Sequence, residues 1–492
     1  MSARLSLSTL GQARKDAKRF SYERSTLRPR IVHLGLGAFF RAHGALYNED
    51  VLEQSRGDWG IVGVSLRRPD QRERLKPQDF LYCTVETGPE AQHARIVGCL
   101  LDAIVAPEDP AALLDRLSNP DTAIVTLTIT EKGYCHDPAS GRLNAEHPEI
   151  RHDLEHPDRP QSAVGLIVAA LARRRAGGRA PFTVATCDNL PSNGPMLRNL
   201  VCDFAALRSS LLSSWIESSV RFPSSMVDRI APALTNDDIE RAERLLGLRD
   251  EAPVRHEPFR QWVLEDSFVD GLRPAWDLAG AQFVSDVRPF ENAKLRMLNG
   301  SHSALAYLGY LAGFETISET VAVAPFADYV KRLWRDEVIP VLPRVPGLDL
   351  DRYADQLLER YRNTAIRHRT WQIAMDGSQK LPQRLLSSVR DNLRLGRPFP
   401  CLALAISAWM RYVGGVDEKG RAIDVRDPLA KVLSDTISGS GPSPSDHVRA
   451  VLGLEAIFGT DLPNSPEFRS FLTKAYGDLR GGGAMKAVAS IT

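Results

Sequence analysis

From residue 31 to about residue 190, short β-rich runs alternate with helical patterns, and near residue 286 the alternation ends. The runs are "IVHLGLG" (31–37), "WGIVGVSL" (59–66), "ARIVGCL" (94–100), "TAIVTLTIT" (122–130) and "FTVATCDNL" (182–190). Between the last two lies "SAVGLIVAALARRRAGG" (162–178), an apolar helical pattern that closes in basic residues and glycines, as a helix C-terminus does. Strands alternating with helices form a mainly parallel, doubly wound sheet. Beyond the change in texture, helical patterns follow one another at 291–313, 318–338, 350–361, 380–395, 400–414 and 445–458. A chain of 492 residues also exceeds one ordinary hydrophobic core. The expectation is an α/β domain over 1–285 and a mainly α-helical domain over 286–492, the second carrying much of the chemistry.

Charge narrows the partners. Lys plus Arg number 62 against 61 acidic residues, a net charge of +1, which gives no footprint for nucleic acid or an anionic membrane. No run approaches the roughly 18 apolar residues of a spanning helix, and the N-terminal stretch has no secretory pattern. The six cysteines are scattered without a CxxC pair, which suits reduced, buried thiols in a cytoplasmic protein. A small molecule is the partner class that remains.

The first run ends in "GLGAFFRAH". Gly35 and Gly37 allow a tight turn and close approach of a pyrophosphate to backbone amides. Phe40 stands where a third glycine usually falls, so the motif alone is weak. Arg41 and His43 follow, either as phosphate contacts or as a solvated face. After the second run come Arg67 and Arg68, then Asp70. Arginine there suits a 2′-phosphate and Asp70 suits the ribose hydroxyls of NAD, so the cofactor choice stays open.

"ENAKLRMLNGSHSALAYLGYL" (291–311) reads as a buried helix, yet Lys294, Asn299 and His302 crowd its first half. A desolvated lysine can exchange a proton with an alcohol oxygen, and an asparagine amide can hold a developing alkoxide. Asn299 and His302, three apart, share a helix face. "TCDNLPSNG" (186–194) and "FPSSMVDRIAP" (222–232) are polar turns that carry Asn189 and Asp228. No tyrosine begins a YxxxK, and no HExxH or cysteine cluster suggests zinc, so an alcohol dehydrogenase built on this chain needs another base. Lys294 fits that vacancy, and no metal is expected.

"GLGAFFRAH", "TLTITEKGY", "TCDNLPSNG", "FPSSMVDRI", "FRQWVLEDSF" and "KLRMLNGSHSALAYLGYL" together resemble the mannitol dehydrogenase family of long-chain, metal-independent polyol dehydrogenases. The likeness runs from about residue 29 to 480, with the motifs in the family's order. It implies a Rossmann-type N-terminal domain and with it NAD as cofactor, for which Gly35, Gly37, Phe39, Arg41, Arg67 and Asp70 stand as the candidate contacts; the family's turn also reads GxGxF. It implies Lys294 as general acid/base, Asn189 and Asn299 polarising the reacting oxygen, and His302, Asp228 and Lys380 holding the substrate. "RNTAIRHRTWQIAMDGSQKLPQRLL" (362–386) is closely similar to the fructuronate reductase branch, with Gln372 where mannitol enzymes carry an arginine. Arg367 and Arg369, with His368, Lys380 and Arg384, give that segment donors suited to a uronate carboxylate. The expectation is reversible reduction of D-fructuronate to D-mannonate. The alternatives are a mannitol 2-dehydrogenase or other polyol dehydrogenase and, more remotely, a dinucleotide-binding sensor without turnover.

Overall fold

The first apolar run becomes β1 (Arg28–Leu34), the middle strand of a five-stranded parallel sheet. The computed structural model describes residues 2–88, 91–137 and 140–491. Among the described residues ten further strands follow: β2 (Trp59–Ser65), β3 (Tyr82–Thr87), β4 (Gln92–Val97), β5 (Leu100–Val105), β6 (Ile124–Leu127), β7 (Thr183–Thr186), β8 (Ser225–Asp228), β9 (Val254–His256), β10 (Gln261–Glu265) and β11 (Gln282–Val284). The chain divides into two compact units, Met1–Arg288 and Pro289–Thr492.

In the first unit the parallel sheet runs β5-β2-β1-β6-β7, with Val32 paired to Val62 on one side and to Val125 on the other. The strand order reverses between β1 and β6, the switch point at which doubly wound sheets bind ligands outside the strands' carboxyl ends. Successive β1 residues serve opposite faces. Ile31 packs with Leu46, Val51 and Leu52 of the helix Gly44–Ser55. Val32 and Leu34 pack with Leu166 and Val168 of the helix Ala163–Ala176 and Leu200 of Asn193–Arg208. Helices on both faces bury both sides of the sheet, which is why its strands read as unbroken apolar runs. The helix Ala163–Ala176 begins where Ser162 accepts a bond from the Gly165 amide and ends at Gly177.

One expected strand is two. "ARIVGCL" supplies the end of β4, which pairs antiparallel with β3 in the sheet β4-β3-β9, and the first residue of β5 in the parallel sheet. Gly98 makes the passage possible, because a Cβ there would meet the Phe20 ring at 2.7 Å. A third sheet, β11-β10-β8, pairs Asp228 at the end of β8 with Gln261.

Among the described residues of the second unit there is no strand, only helices and isolated bridges. Helices Gly300–Leu311 and Pro466–Ile491 both pack on the almost wholly buried helix Pro400–Val413. The helical pattern over 318–338 is three pieces, Ile317–Ala322, Ala324–Arg332 and a π-helical turn Leu333–Val338, since Pro325 starts a helix better than it continues one. Further π-helical turns occupy Lys294–Asn299 and Pro382–Leu386. No helix among the described residues is long and apolar enough to cross a membrane.

Candidate active site

The glycine turn of the first unit is built from beneath by a histidine. His33, wholly buried near the end of β1, places Nδ1 2.8 Å from Thr126 Oγ1 and Nε2 2.8 Å from Thr128 Oγ1 and 3.1 Å from the Gly35 carbonyl. Thr128 Oγ1 in turn donates to that carbonyl at 2.9 Å. Phe40 stacks flat on the imidazole, and burial pushes its pKa down to about 3, so the ring is neutral. Gly35 has φ +96°, and a Cβ would collide with the Thr128 carbonyl. Gly37 differs: a Cβ there would have only the Gly35 carbonyl within 4 Å, at 3.8 Å. The backbone is bare at the position where a dinucleotide pyrophosphate approaches, and this fits the cofactor.

Phe39, half-buried, stacks on His43 with ring centroids 5.1 Å apart. Arg41 and His43 depart from expectation, for both are buried, at 2% and 1% exposure. Arg41 donates to the Ala252 carbonyl and lies over the Tyr82 ring, and His43 Nε2 meets the Gln261 carbonyl at 2.9 Å. The solvated face is excluded, and Arg41's guanidinium is committed to packing rather than to phosphate. The reason is local: the chain bends at His43 between the short helix Ala38–Ala42 and Gly44–Ser55, turning both side chains inward. Arg67 pairs with Glu149 at 2.9 Å, and Asp70 is the exposed first residue of the helix Asp70–Leu75.

Asn189 sits exposed at the carboxyl end of β7, on a turn its neighbours hold. Asp188 accepts from the Ile129 amide at 2.8 Å and the Tyr134 hydroxyl at 2.7 Å, and burial raises its pKa. Asn193 donates to the Asp188 and Ser225 carbonyls and accepts from the Ser225 amide. Asp228 is buried at the end of β8. The adjacent Arg229 is spent on the carbonyls of Ala42, Glu257 and Pro258.

In the second unit, Lys294 and Asn299 are the two ends of one π-helical turn, and Lys294 is buried. His302 lies on the helix that follows, its Nε2 3.3 Å from His368 Nδ1 and its ring stacked on Tyr361 at 5.3 Å. Burial first, then His368, Arg384, Arg360 and Lys380, hold the His302 pKa well below its ordinary value. Lys380 donates to the Met375 carbonyl at 2.6 Å; burial, then Arg384, lowers its pKa to about 8. Arg384 donates to Ser303 at 3.1 Å. The basic segment is thus sorted. His368, Lys380 and Arg384 are half-buried around His302, whereas Arg367, Arg369 and Gln372 are exposed and Arg367 pairs with Glu315 at 3.3 Å. These three expected substrate contacts stand on the solvent side of their segment, because the Ile317 amide bonds the His368 carbonyl and fixes which side chains turn inward. Arg360 and Tyr361, in the last turn of Leu350–Arg362, had no sequence signal beyond a helix end.

Among the described residues one group of three metal-ligating side chains lies close together, Cys135, His147 and Glu149. Glu149 is held by Arg67, and burial pushes the Cys135 thiol up to about 12.

The family model of the mannitol dehydrogenase Rossmann domain matches residues 29–278, and that of the mannitol dehydrogenase C-terminal domain matches residues 286–480. D-mannonate oxidoreductase of Escherichia coli (strain K12) is 48% identical over 99% of this chain and 100% of its own. Mannitol dehydrogenase DSF1 of Saccharomyces cerevisiae is 40% identical over 96% of this chain and 94% of its own. The structure of Pseudomonas fluorescens mannitol 2-dehydrogenase in ternary complex with NAD and D-mannitol superposes with a TM-score of 0.87, at 39% identity and 99% coverage of both chains. The chain is an oxidoreductase that belongs to the mannitol dehydrogenase family.

Proposed function

We propose that this chain reduces the ketone of D-fructuronate to the alcohol of D-mannonate, reversibly, as an NAD-dependent oxidoreductase acting on CH–OH groups. The observation that carries the reading is the full-length 48% identity to a D-mannonate oxidoreductase, against 40% to the yeast mannitol dehydrogenase. The second unit adds a physical reason: Arg384, Arg360 and Lys380 all bear on His302, a cationic setting that favours an anionic substrate.

NADH, when bound, supplies the hydride, and the bare backbone at Gly35 and Gly37 is where its pyrophosphate fits. The remaining work belongs to side chains. As the carbonyl oxygen gains charge, Asn189 and Asn299 donate hydrogen bonds to it. The Lys294 ammonium gives that oxygen its proton and, in the oxidative direction, the neutral amine takes it back. His302, Asp228 and Lys380 hold substrate hydroxyls, and the cations around His302 receive the carboxylate.

Oxidation of D-mannonate with NAD, in the wild type and in Lys294→Ala, tests this reading. Wild-type turnover should fall 10²–10⁴-fold in the variant while NADH binding persists. A loss below about tenfold in kcat would remove lysine from the proton-transfer role.

A further inference from the structure

We propose that Tyr361 is a positioning residue for the proton-transfer lysine, holding the wide turn that brings Lys294 and Asn299 into register. The inference rests on the reading of Lys294 and Asn299 given above.

Five residues apart on an α-helix, two side chains point about 140° away from each other. Lys294 and Asn299 are five apart, so an α-helix would send them to different faces. They are instead the ends of a π-helical turn, whose bonds run from residue i to i+5 and return its ends toward one face. Such turns are rare because the α-helical alternative is always at hand, and one persists where its surroundings favour it.

Those surroundings are specific. The Tyr361 hydroxyl donates to the Leu298 carbonyl at 2.8 Å. The Trp334 indole N–H donates to the neighbouring Met297 carbonyl at 3.0 Å. The Ser301 hydroxyl lies 2.9 Å from the Tyr361 oxygen and also reaches the Met297 carbonyl. Two consecutive carbonyls within the turn thus receive side-chain donors from two other helical segments. Gly300, just past the turn, lets the Arg384 backbone come close, since a Cβ would stand 2.7 Å from the Arg384 carbonyl oxygen. Tyr361 has a second contact: its ring stacks on His302, 20° from parallel. One side chain therefore fixes both the Lys294–Asn299 register and the imidazole that follows it.

Tyr361→Phe keeps the ring and the stack and removes only the hydroxyl, with its bond to the Leu298 carbonyl and its contact with Ser301; Trp334→Phe removes the other donor without touching His302. Steady-state kinetics with D-mannonate and NAD across pH 6–10, NADH affinity and thermal midpoint would be measured for both, beside Lys294→Ala. The expected result for Tyr361→Phe is a fall in kcat of about tenfold or more, with NADH affinity and KM within about threefold of wild type. The pH limb of kcat that reports the lysine should also move, an effect that lost stability alone would not produce. Should Tyr361→Phe fail to fold, Trp334→Phe carries the same expectation. Wild-type kcat and an unmoved limb in a folded variant would overturn the inference while leaving the lysine reading intact if Lys294→Ala is inactive. Turnover surviving in Lys294→Ala would instead remove the reading itself, and the inference with it.

Discussion

His302 Nε2 and His368 Nδ1 face each other at 3.3 Å inside the helical unit, an arrangement that needs one ring to donate and the other to accept. The accepting ring is therefore neutral, and burial, which lowers the pKa of both, keeps the pair neutral near pH 7. Burial, and then the Arg360 guanidinium, holds the His368 pKa at about 4, while His302 sits well below its ordinary value. A folded pKa below the unfolded value of about 6.5 means that the unfolded chain binds more protons between those limits. This pair thus adds no pH dependence above about 6.5 and costs stability as pH falls from there toward 4. His368→Asn should remove its share of that cost. The thermal midpoint of the variant relative to wild type should rise by several degrees between pH 7.5 and pH 5, as read by differential scanning fluorimetry. An offset constant with pH would contradict the neutral pair.

Gly35 and Gly37 are two residues apart and should fail differently. Gly35→Ala faces a positive φ and the Thr128 carbonyl, so it should lose stability as well as NADH binding. Gly37→Ala meets no protein atom closer than 3.8 Å and should fold with an unchanged thermal midpoint. Its methyl group would occupy the space left for the pyrophosphate, weakening NADH about tenfold or more, or about 1.4 kcal/mol. Fluorescence titration of NADH with both variants would check this, and tight binding by Gly37→Ala would contradict it.

Arg384 and Arg367 come from one basic stretch yet should behave differently. Arg384→Gln should lower kcat/KM for D-fructuronate by about tenfold or more and affect D-fructose less, as loss of a charged hydrogen bond of about 1.5–3 kcal/mol requires. Arg367→Gln, exposed and paired with Glu315, should stay within about twofold of wild type for both substrates. Equal effects of the two substitutions would contradict the assignment.

Arg67 is held by Glu149 across an exposed pair, which biases it away from a 2′-phosphate. Glu149→Gln should therefore improve kcat/KM for NADPH relative to NADH by roughly two- to fivefold, the scale of a pair of about 0.4–1 kcal/mol. An unchanged ratio would separate Arg67 from cofactor choice.

Strands β1, β2, β6 and β7 were legible in the sequence because parallel strands buried on both faces read as unbroken apolar runs. The helix Ala163–Ala176 was legible from its apolar pattern and its basic, glycine-closed end. Strands β8 to β11 were not, being three to five residues long and mixed in polarity. The split at Gly98 depends on packing against Phe20, a residue remote in sequence. Around the candidate site, residue types marked Lys294, Asn299 and His302, but a 3.6-residue period hides the register of Lys294 with Asn299, which the π-turn supplies. His33 read as one more member of an apolar strand, and its bonds to Thr126, Thr128 and Gly35 exist only once β1 and β6 are side by side. Arg367 and Arg384 carry the same charge in one segment, and tertiary packing alone turns one outward and the other toward His302.

The most direct test of the proposed uronate reduction is NADH oxidation at neutral pH with D-fructuronate and D-fructose side by side. The expected kcat/KM preference for D-fructuronate is about a hundredfold, which is about 2.7 kcal/mol of transition-state discrimination. Equal or greater kcat/KM for D-fructose would contradict it, moving the substrate to a polyol and leaving the cations around His302 without a carboxylate to receive.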